Sequence, residues 1–173
     1  MLKNKSQTGV FSIEMAFVLL GMCGSLCFCF DLGYQQIRKS QLERISYSLV
    51  SVLKERALFF DKRESANSND VRKLHTIGTK LLGAKKEDVA VVINQRVAGQ
   101  KGTHLKYPAS LSCAPKQKLS KSFDVTLEKS GKYAPVYQVT VCQRIPAWFE
   151  RIIGEEADKN DRIIQAQSSF LGR

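Results

Sequence analysis

A single carboxylate interrupts a long apolar segment near the start of the chain, and this is where the sequence most clearly suggests chemistry. The segment Val10–Phe30 has 21 residues, and Glu14 is its only charge. A carboxylate deep in a bilayer costs about 2.5–3.5 kcal/mol, so we expect Glu14 to have a partner. The alternative is that Glu14 lies among the lipid headgroups, because it is only five residues into the segment.

Two cysteines, Cys113 and Cys142, lie outside the apolar segment. If this part of the chain is periplasmic, a disulfide is the default expectation. It would close a loop of about 30 residues and add roughly 3–4 kcal/mol to stability on the chain-entropy model. The competing interpretation is a reactive thiol assisted by His104. Cys23, Cys27 and Cys29 are interpreted as small apolar side chains of the membrane helix.

Catalytic and metal chemistry find little support in the sequence. The chain has two histidines. His75 is expected on or beside the apolar face of its helix, as part of the protein core, and His104 has no second imidazole or CxxC pair near it. There is no GxSxG, HExxH, P-loop or GxGxxG motif. A group of acidic residues is interpreted as a solvated turn: Glu155, Glu156, Asp158 and Asp161. We therefore expect no active site, no metal and no cofactor.

The aromatic pair Trp148 and Phe149 follows a predicted strand directly, and Trp148 is the only tryptophan. If exposed, the pair would be an anchor at a contact between subunits. The alternative, which we favour slightly, is that Trp148 closes the end of a small core.

The apolar segment is long enough to cross a membrane. At about 1.5 Å per residue, 21 helical residues extend about 31 Å, the thickness of the hydrocarbon core. A soluble helix is rarely apolar on all sides for so long. Lys3 and Lys5 precede the segment and Asp31 ends it, so the positive-inside rule places residues 31–173 outside the cytoplasm.

The exposed part of the chain is strongly basic. The whole sequence carries 27 basic and 16 acidic residues, and residues 31–173 hold 25 and 15 of these, a net charge of +10. This charge favours anionic partners such as phospholipid headgroups, nucleic acid, acidic polysaccharide or acidic subunits. The alternative is that it serves solubility alone.

Downstream of the span, the spacing of apolar residues predicts a helix that continues to about Phe60. Four residues share one face at steps of three and four: Leu42, Ile45, Leu49 and Val52. After a loop at 61–70, Asp70 is expected to cap a short helix that Gly83 ends. In that helix one face is predicted to hold Val71, Leu74, Leu81 and Leu82.

Four apolar segments predict a small antiparallel sheet. Val89–Ile93 is expected to form a buried strand, and Ile163–Phe170 a last strand. The alternating residues of Phe123–Leu127 and Tyr137–Val141 flank the turn at 129–132, so they are expected to pair as a hairpin. The predicted fold class is α+β, a long N-terminal membrane and stem helix packed on a small antiparallel sheet.

The order of segments at the N-terminus differs from that of a secretory signal peptide. The apolar segment ends without an A-x-A site, and Met22 is a poor residue before a lipoprotein cysteine at Cys23. A short basic peptide, then Gly9, then an apolar segment with Glu14 at its fifth position resembles the type IV prepilins. More narrowly, the chain resembles the TadE/TadF pseudopilins of the tight-adherence (Flp) pilus.

Three islands carry the narrower resemblance, and residues 64–122 match nothing by eye. The islands are Leu42–Val50 with its S-Y-S-L run, Cys142–Phe149, and Ser169–Arg173. The resemblance implies a type IV pilin-like fold and a cut after Gly9 by a prepilin peptidase. It also implies pairing of Glu14 with the new Val10 amine of the same or an adjacent chain.

These features together predict a non-enzymatic minor pilin or pseudopilin of the bacterial inner membrane. The expected organisation is a leader at 1–9, a transmembrane helix at 10–30, an amphipathic stem helix at 31–62 and a periplasmic domain at 63–173. Its expected partners are other pilins and the assembly platform, in a system for adherence and biofilm formation. Two alternatives remain: a pseudopilin of general secretion or another type IV system, and a basic binding protein with an uncut anchor.

Overall fold

A computed structural model describes residues 7–59, 66–96, 102–119, 134–154 and 161–172. Its first element, α1, is a continuous helix Gln7–Phe59 of 53 residues. At about 1.5 Å per residue this helix is about 80 Å long. No proline occurs within it, so nothing in its sequence removes a backbone hydrogen bond. The prediction that the apolar helix continues past Asp31 to about Phe60 is confirmed.

The second half of α1 buries one face, which is rotated slightly from the predicted one. The buried apolar side chains are Leu42, Leu49, Val50 and Leu53, and Ile45 is partly buried. Val52, predicted to lie on this face, is 53% exposed. Ser46 takes a buried position because its hydroxyl has hydrogen-bond partners in the sheet and in its own helix.

The second helix, α2, spans Ser68–Leu82 and is capped at both ends. The N-cap is Asn67, whereas Asp70 occupies the third helical position and accepts a 2.7 Å hydrogen bond from the Asn67 backbone N–H. The prediction that Asp70 is the N-cap was therefore wrong by three residues. Both side chains take part in the capping, because Asn67 and Asp70 form a capping box. Gly83 ends the helix in the left-handed conformation, as predicted. Leu81 is 59% exposed and does not lie on the buried face, contrary to the prediction.

In the described part of the chain, four antiparallel strands form a single sheet in the order β2-β1-β3-β4. The strands are β1 at Val89–Arg96, β2 at Thr103–Tyr107, β3 at Val136–Ile145 and β4 at Arg162–Leu171. A short 3-10 helix, Lys86–Asp88, precedes β1, and a six-residue helix, α3 at Trp148–Ile153, lies between β3 and β4.

The strands β1 and β4 confirm two predictions, but the predicted hairpin partner of β3 was wrong. Tyr137–Val141 pairs with β1 on one side and with β4 on the other, so both edges of this segment are occupied. Phe123–Leu127 lies outside the described residues. The edge strand β2 was not predicted, because its alternating apolar side chains are too few to give a clear signal.

The main core lies between the sheet and the two long helices. Odd-numbered side chains of β1 and β3, such as Val91 and Val139, meet the buried faces of α1 and α2 there. The opposite face of the sheet holds a smaller cluster: Ala90, Val92, Leu111, Cys113 and Cys142. A long helix packed on a small antiparallel sheet is the α+β, pilin-like arrangement expected from the sequence.

Candidate functional site

The N-terminal half of α1 presents its apolar side chains outward. All residues from Phe11 to Phe30 are exposed, and they include Cys23, Cys27 and Cys29. Within Phe11–Glu55 an 18-residue window of mean hydropathy 2.0 has none of its residues buried. It is the one stretch of the described chain that is long and apolar enough to cross a membrane. An apolar surface of this extent is stable only against lipid or other apolar helices.

The residues predicted to form the cleavage site and to set the register between neighbouring helices lie at the start of α1. Gly9 and Val10 both belong to the helix, while their side-chain environment lies outside the described part. Glu14 is exposed, and the described residues of its own chain provide it with no hydrogen-bond or ion-pair partner. Val10 and Glu14 are four residues apart, so they lie on the same helix face one turn from each other.

At the other end of the span, an ion pair joins α1 to the sheet. Arg162, the first residue of β4, donates a 3.1 Å hydrogen bond from Nη1 to Oδ2 of Asp31. Gln35 donates to the same oxygen at 3.3 Å, one turn further along α1. The other terminal nitrogen of Arg162 pairs with Glu150 of α3. Asp31 is only 2% exposed, although the sequence identified it merely as the end of the apolar segment.

An aromatic contact lies beside this ion pair. The rings of Phe28 and Phe149 pack edge to face with centroids 5.4 Å apart. Phe149 therefore contacts the last turns of the apolar segment in its own chain. Trp148, next to it in α3, is 47% exposed, and the guanidinium of Arg151 lies 5.9 Å from its ring centroid. The interpretation that Trp148 closes the core was wrong, and its role in a subunit contact stays a prediction.

Further along the stem, β4 holds α1 a second time. The hydroxyls of Ser46 and Ser168 are 2.7 Å apart and share a hydrogen bond. The rings of Tyr47 and Phe170 pack edge to face at 5.1 Å, and the Lys54 ammonium lies 5.5 Å from the Phe170 centroid. The helix is thus attached to the last strand both at the end of the span and about four to six turns beyond Asp31.

The two cysteines outside the span form the expected disulfide. Cys113 and Cys142 are bonded, with their Cα atoms 5.8 Å apart and a sequence separation of 29. The bond fastens the segment after β2 to the face of the sheet that α1 and α2 leave free. It also excludes the alternative of a reactive thiol assisted by His104.

Both histidines have hydrogen-bond partners within the domain. Nε2 of the buried His75 lies 3.1 Å from the Lys86 carbonyl oxygen and 3.0 Å from that of Val89. Nδ1 of His104 lies 2.6 Å from Oδ1 of Asn94, beside an open cavity of about 630 Å³. Among the described residues no three His, Cys, Asp or Glu side chains are grouped to hold a metal ion.

The predicted acidic turn is described only at its end. Asp161 pairs with Arg151 at 2.9 Å, which agrees with a structural role for this carboxylate. Glu155, Glu156 and Asp158 lie outside the described residues.

Comparison with known proteins gives one match that covers nearly the whole chain. The family model TadF, "Putative tight adherence pilin protein F", matches residues 2–173. No curated protein and no solved structure gives a match. The matched range includes residues 64–122, the part in which no resemblance was visible by eye.

Proposed function

Because the chain belongs to the TadF family of tight adherence pilin proteins, we propose that it is a minor pilin or pseudopilin that acts in assembly of the tight-adherence (Flp) pilus. The family membership itself establishes a pilin-like role in this system and favours a structural protein over an enzyme. The proposal adds maturation by a prepilin peptidase, which cuts after Gly9, and a direct part in assembly through Glu14.

The observation that carries the proposal is the position of Glu14. It is an exposed carboxylate in an uninterrupted apolar helix, and the described part of its own chain does not pair with it. A cut after Gly9 would create an amine one helical turn before Glu14. That amine, in the same chain or an adjacent subunit, would offset the cost of placing the carboxylate in the membrane. Pairing between subunits would also set the vertical register of neighbouring helices.

The proposed organisation is built on the one segment of the described chain that is long and apolar enough to cross a membrane. A leader at 1–9 is removed, residues 10–30 remain in the inner membrane, and the stem at 31–62 leads into a periplasmic domain at 63–173. The disulfide between Cys113 and Cys142 supports the periplasmic location, since such bonds persist in oxidising compartments. The partners are then the prepilin peptidase, other pilins and the assembly platform. The system serves adherence and biofilm formation at the cell surface.

The alternatives lose support from the same observations. A pseudopilin of general secretion would share the pattern of Gly9 and Glu14, but the family match over 2–173 favours the tight-adherence system. A basic binding protein with an uncut anchor would have no need for a carboxylate at position 14.

The first experiment is intact mass and N-terminal sequencing of the membrane-extracted protein, with and without reductant. We expect a chain that begins at Val10 and retains the apolar segment. Gly9→Ala should block this maturation, whereas Gly21→Ala should leave it unchanged, because a methyl group at Gly21 meets no atom of the described chain within 4 Å. A wild-type chain that begins at Met1, or normal cleavage of Gly9→Ala, would contradict the proposal.

A further inference from the structure

The contact between Phe28 and Phe149 fixes the height of α3 relative to the bilayer. Phe28 lies two residues before the end of the apolar segment, which is about 3 Å at the helical rise. Its ring meets that of Phe149 at 5.4 Å. The residue before Phe149 is Trp148, whose Cα is about 3.8 Å away along the chain. The short helix α3 therefore begins at the level where the hydrocarbon core gives way to headgroups.

Contacts with α1 and with the sheet both hold α3 at this level. Arg162 bridges Asp31 at the end of the span and Glu150 within α3. The residue that precedes α3, Ala147, is buried, as is Ile145 at the end of β3. The start of α3 is thus anchored in the domain, and one guanidinium ties the helix to α1. Such an arrangement leaves little freedom for α3 to move away from the end of the span.

These contacts leave the side chain of Trp148 partly exposed. It is 47% exposed, and its neighbour Arg151 covers part of its ring. Tryptophan is enriched at membrane interfaces, because its ring is apolar and its indole N–H needs a polar partner. Arg151 pairs with Asp161 at 2.9 Å, so its guanidinium is held beside the Trp148 ring at this level of the chain.

From this placement we infer that α3 lies in the headgroup layer of the membrane that its own chain spans, with Trp148 as an interfacial anchor. The ligand of this surface is a phospholipid bilayer, and the proposal does not depend on the cut at Gly9. The domain then rests directly on the membrane at the end of the span. The stem face near Leu49, 19 residues beyond Phe30, lies about 28 Å higher.

The single tryptophan of the sequence makes the inference directly measurable. The full-length protein is reconstituted in phosphatidylcholine vesicles at a low protein-to-lipid ratio, and Trp148 fluorescence is measured. Bromine atoms placed near the headgroup end of the acyl chains should quench it more strongly than bromine atoms placed near the chain ends. Iodide in the aqueous phase should quench it weakly.

A matched control moves the tryptophan away from the membrane. In the double variant Trp148→Phe/Leu81→Trp the reporter lies on the exposed side of α2, which packs near Leu49 through Gly78. Its fluorescence should be quenched by iodide and insensitive to brominated lipid. Because the test on Trp148 itself uses the wild-type chain, misfolding of a variant cannot produce the expected result.

Three outcomes would overturn the inference. Trp148 could be as accessible to iodide as the control and unaffected by brominated lipid, which would leave α3 in water. It could be protected from iodide without quenching by brominated lipid, which would mean that protein covers it. Stronger quenching by the deep bromine label would place α3 within the hydrocarbon. A chain that fails to mature at Gly9 leaves all of these readouts unchanged, so the two proposals fail separately.

Discussion

Asp31 and Arg162 are 131 residues apart in the chain, yet they form a 3.1 Å ion pair at the end of the membrane span. The two partners are unequally placed. The Asp31 side chain is almost fully buried, whereas about a third of the Arg162 side chain is exposed and a second carboxylate, Glu150, pairs with it. Breaking the pair from one end is therefore not equivalent to breaking it from the other.

Replacing Arg162 should destabilise the domain more than replacing Asp31. Arg162→Met leaves a buried carboxylate without its cation, and we expect the free energy of unfolding to fall by about 3 kcal/mol. Asp31→Asn leaves Arg162 with Glu150 and with solvent, so its cost should be only about 1 kcal/mol. Denaturant unfolding in detergent, followed by circular dichroism, measures both.

Arg144→Met is the matched control for this comparison. Arg144 is an exposed arginine of the neighbouring strand β3, and a substitution there should change stability by no more than about 0.5 kcal/mol. Equal losses for Arg162→Met and Asp31→Asn would show that the burial of Asp31 does not determine the strength of the pair.

The disulfide should account for a large part of domain stability. The double variant Cys113→Ser/Cys142→Ser should lose about 3–4 kcal/mol, because the unfolded chain regains the freedom of a 29-residue loop. Adding reductant to the wild-type protein should reproduce this loss. Reductant should not affect the double variant, which keeps Cys23, Cys27 and Cys29. A reductant effect on that variant would assign the loss to the cysteines of the span.

Glu14 should be needed for assembly and not for insertion. If its pairing contributes about 1.4 kcal/mol or more per subunit, Glu14→Ala should lower incorporation into pilus complexes at least about tenfold. Carbonate extraction should show normal membrane insertion. Ser25→Ala is the matched polar control in the span, since the Ser25 hydroxyl donates only to the Met22 carbonyl of its own helix. Normal assembly of Glu14→Ala would remove the proposed role.

Gly78 provides a test of the packing between α2 and the stem. A methyl group there would lie 3.5 Å from Leu49 Cδ1 and 4.0 Å from Val91 Cγ2, which is ordinary contact. Gly78→Ala should therefore raise stability by about 0.5–1 kcal/mol through helix propensity. Gly78→Leu should instead lower it by about 1–3 kcal/mol, since the extra atoms have no space. A loss of stability in Gly78→Ala would mean that the helices are closer than described.

Much of the architecture could be predicted from the sequence, because it rests on local patterns. The uninterrupted apolar segment and the spacing of Leu42 and Leu49 predicted α1, and the run at Val89–Ile93 predicted β1. Errors of detail occurred where two residues compete for one role. Asn67 and Asp70 both suit an N-cap, and only the capping box distinguishes them.

Long-range relationships were not predictable in the same way. The pairing of β3 with β1 and β4 depends on which edges meet after the chain has folded, whereas sequence proximity favoured a hairpin. The ion pair of Asp31 with Arg162 and the contact of Phe28 with Phe149 likewise join distant segments. For this reason the carboxylate of Glu14 was visible in the sequence, while the attachment of the domain to the span was not.

Because α1 is one continuous helix, it also fixes how the domain is rotated about the helix axis. The helix runs from Glu14 through Asp31 to the stem without interruption. Strand β4 contacts it through the ion pair of Arg162 and through the hydrogen bond of Ser168. A turn of the span about its own axis therefore rotates the sheet through the same angle. If a neighbouring helix packs on the Glu14 face, it therefore also fixes the direction in which the β2 edge of each subunit faces around the helix axis.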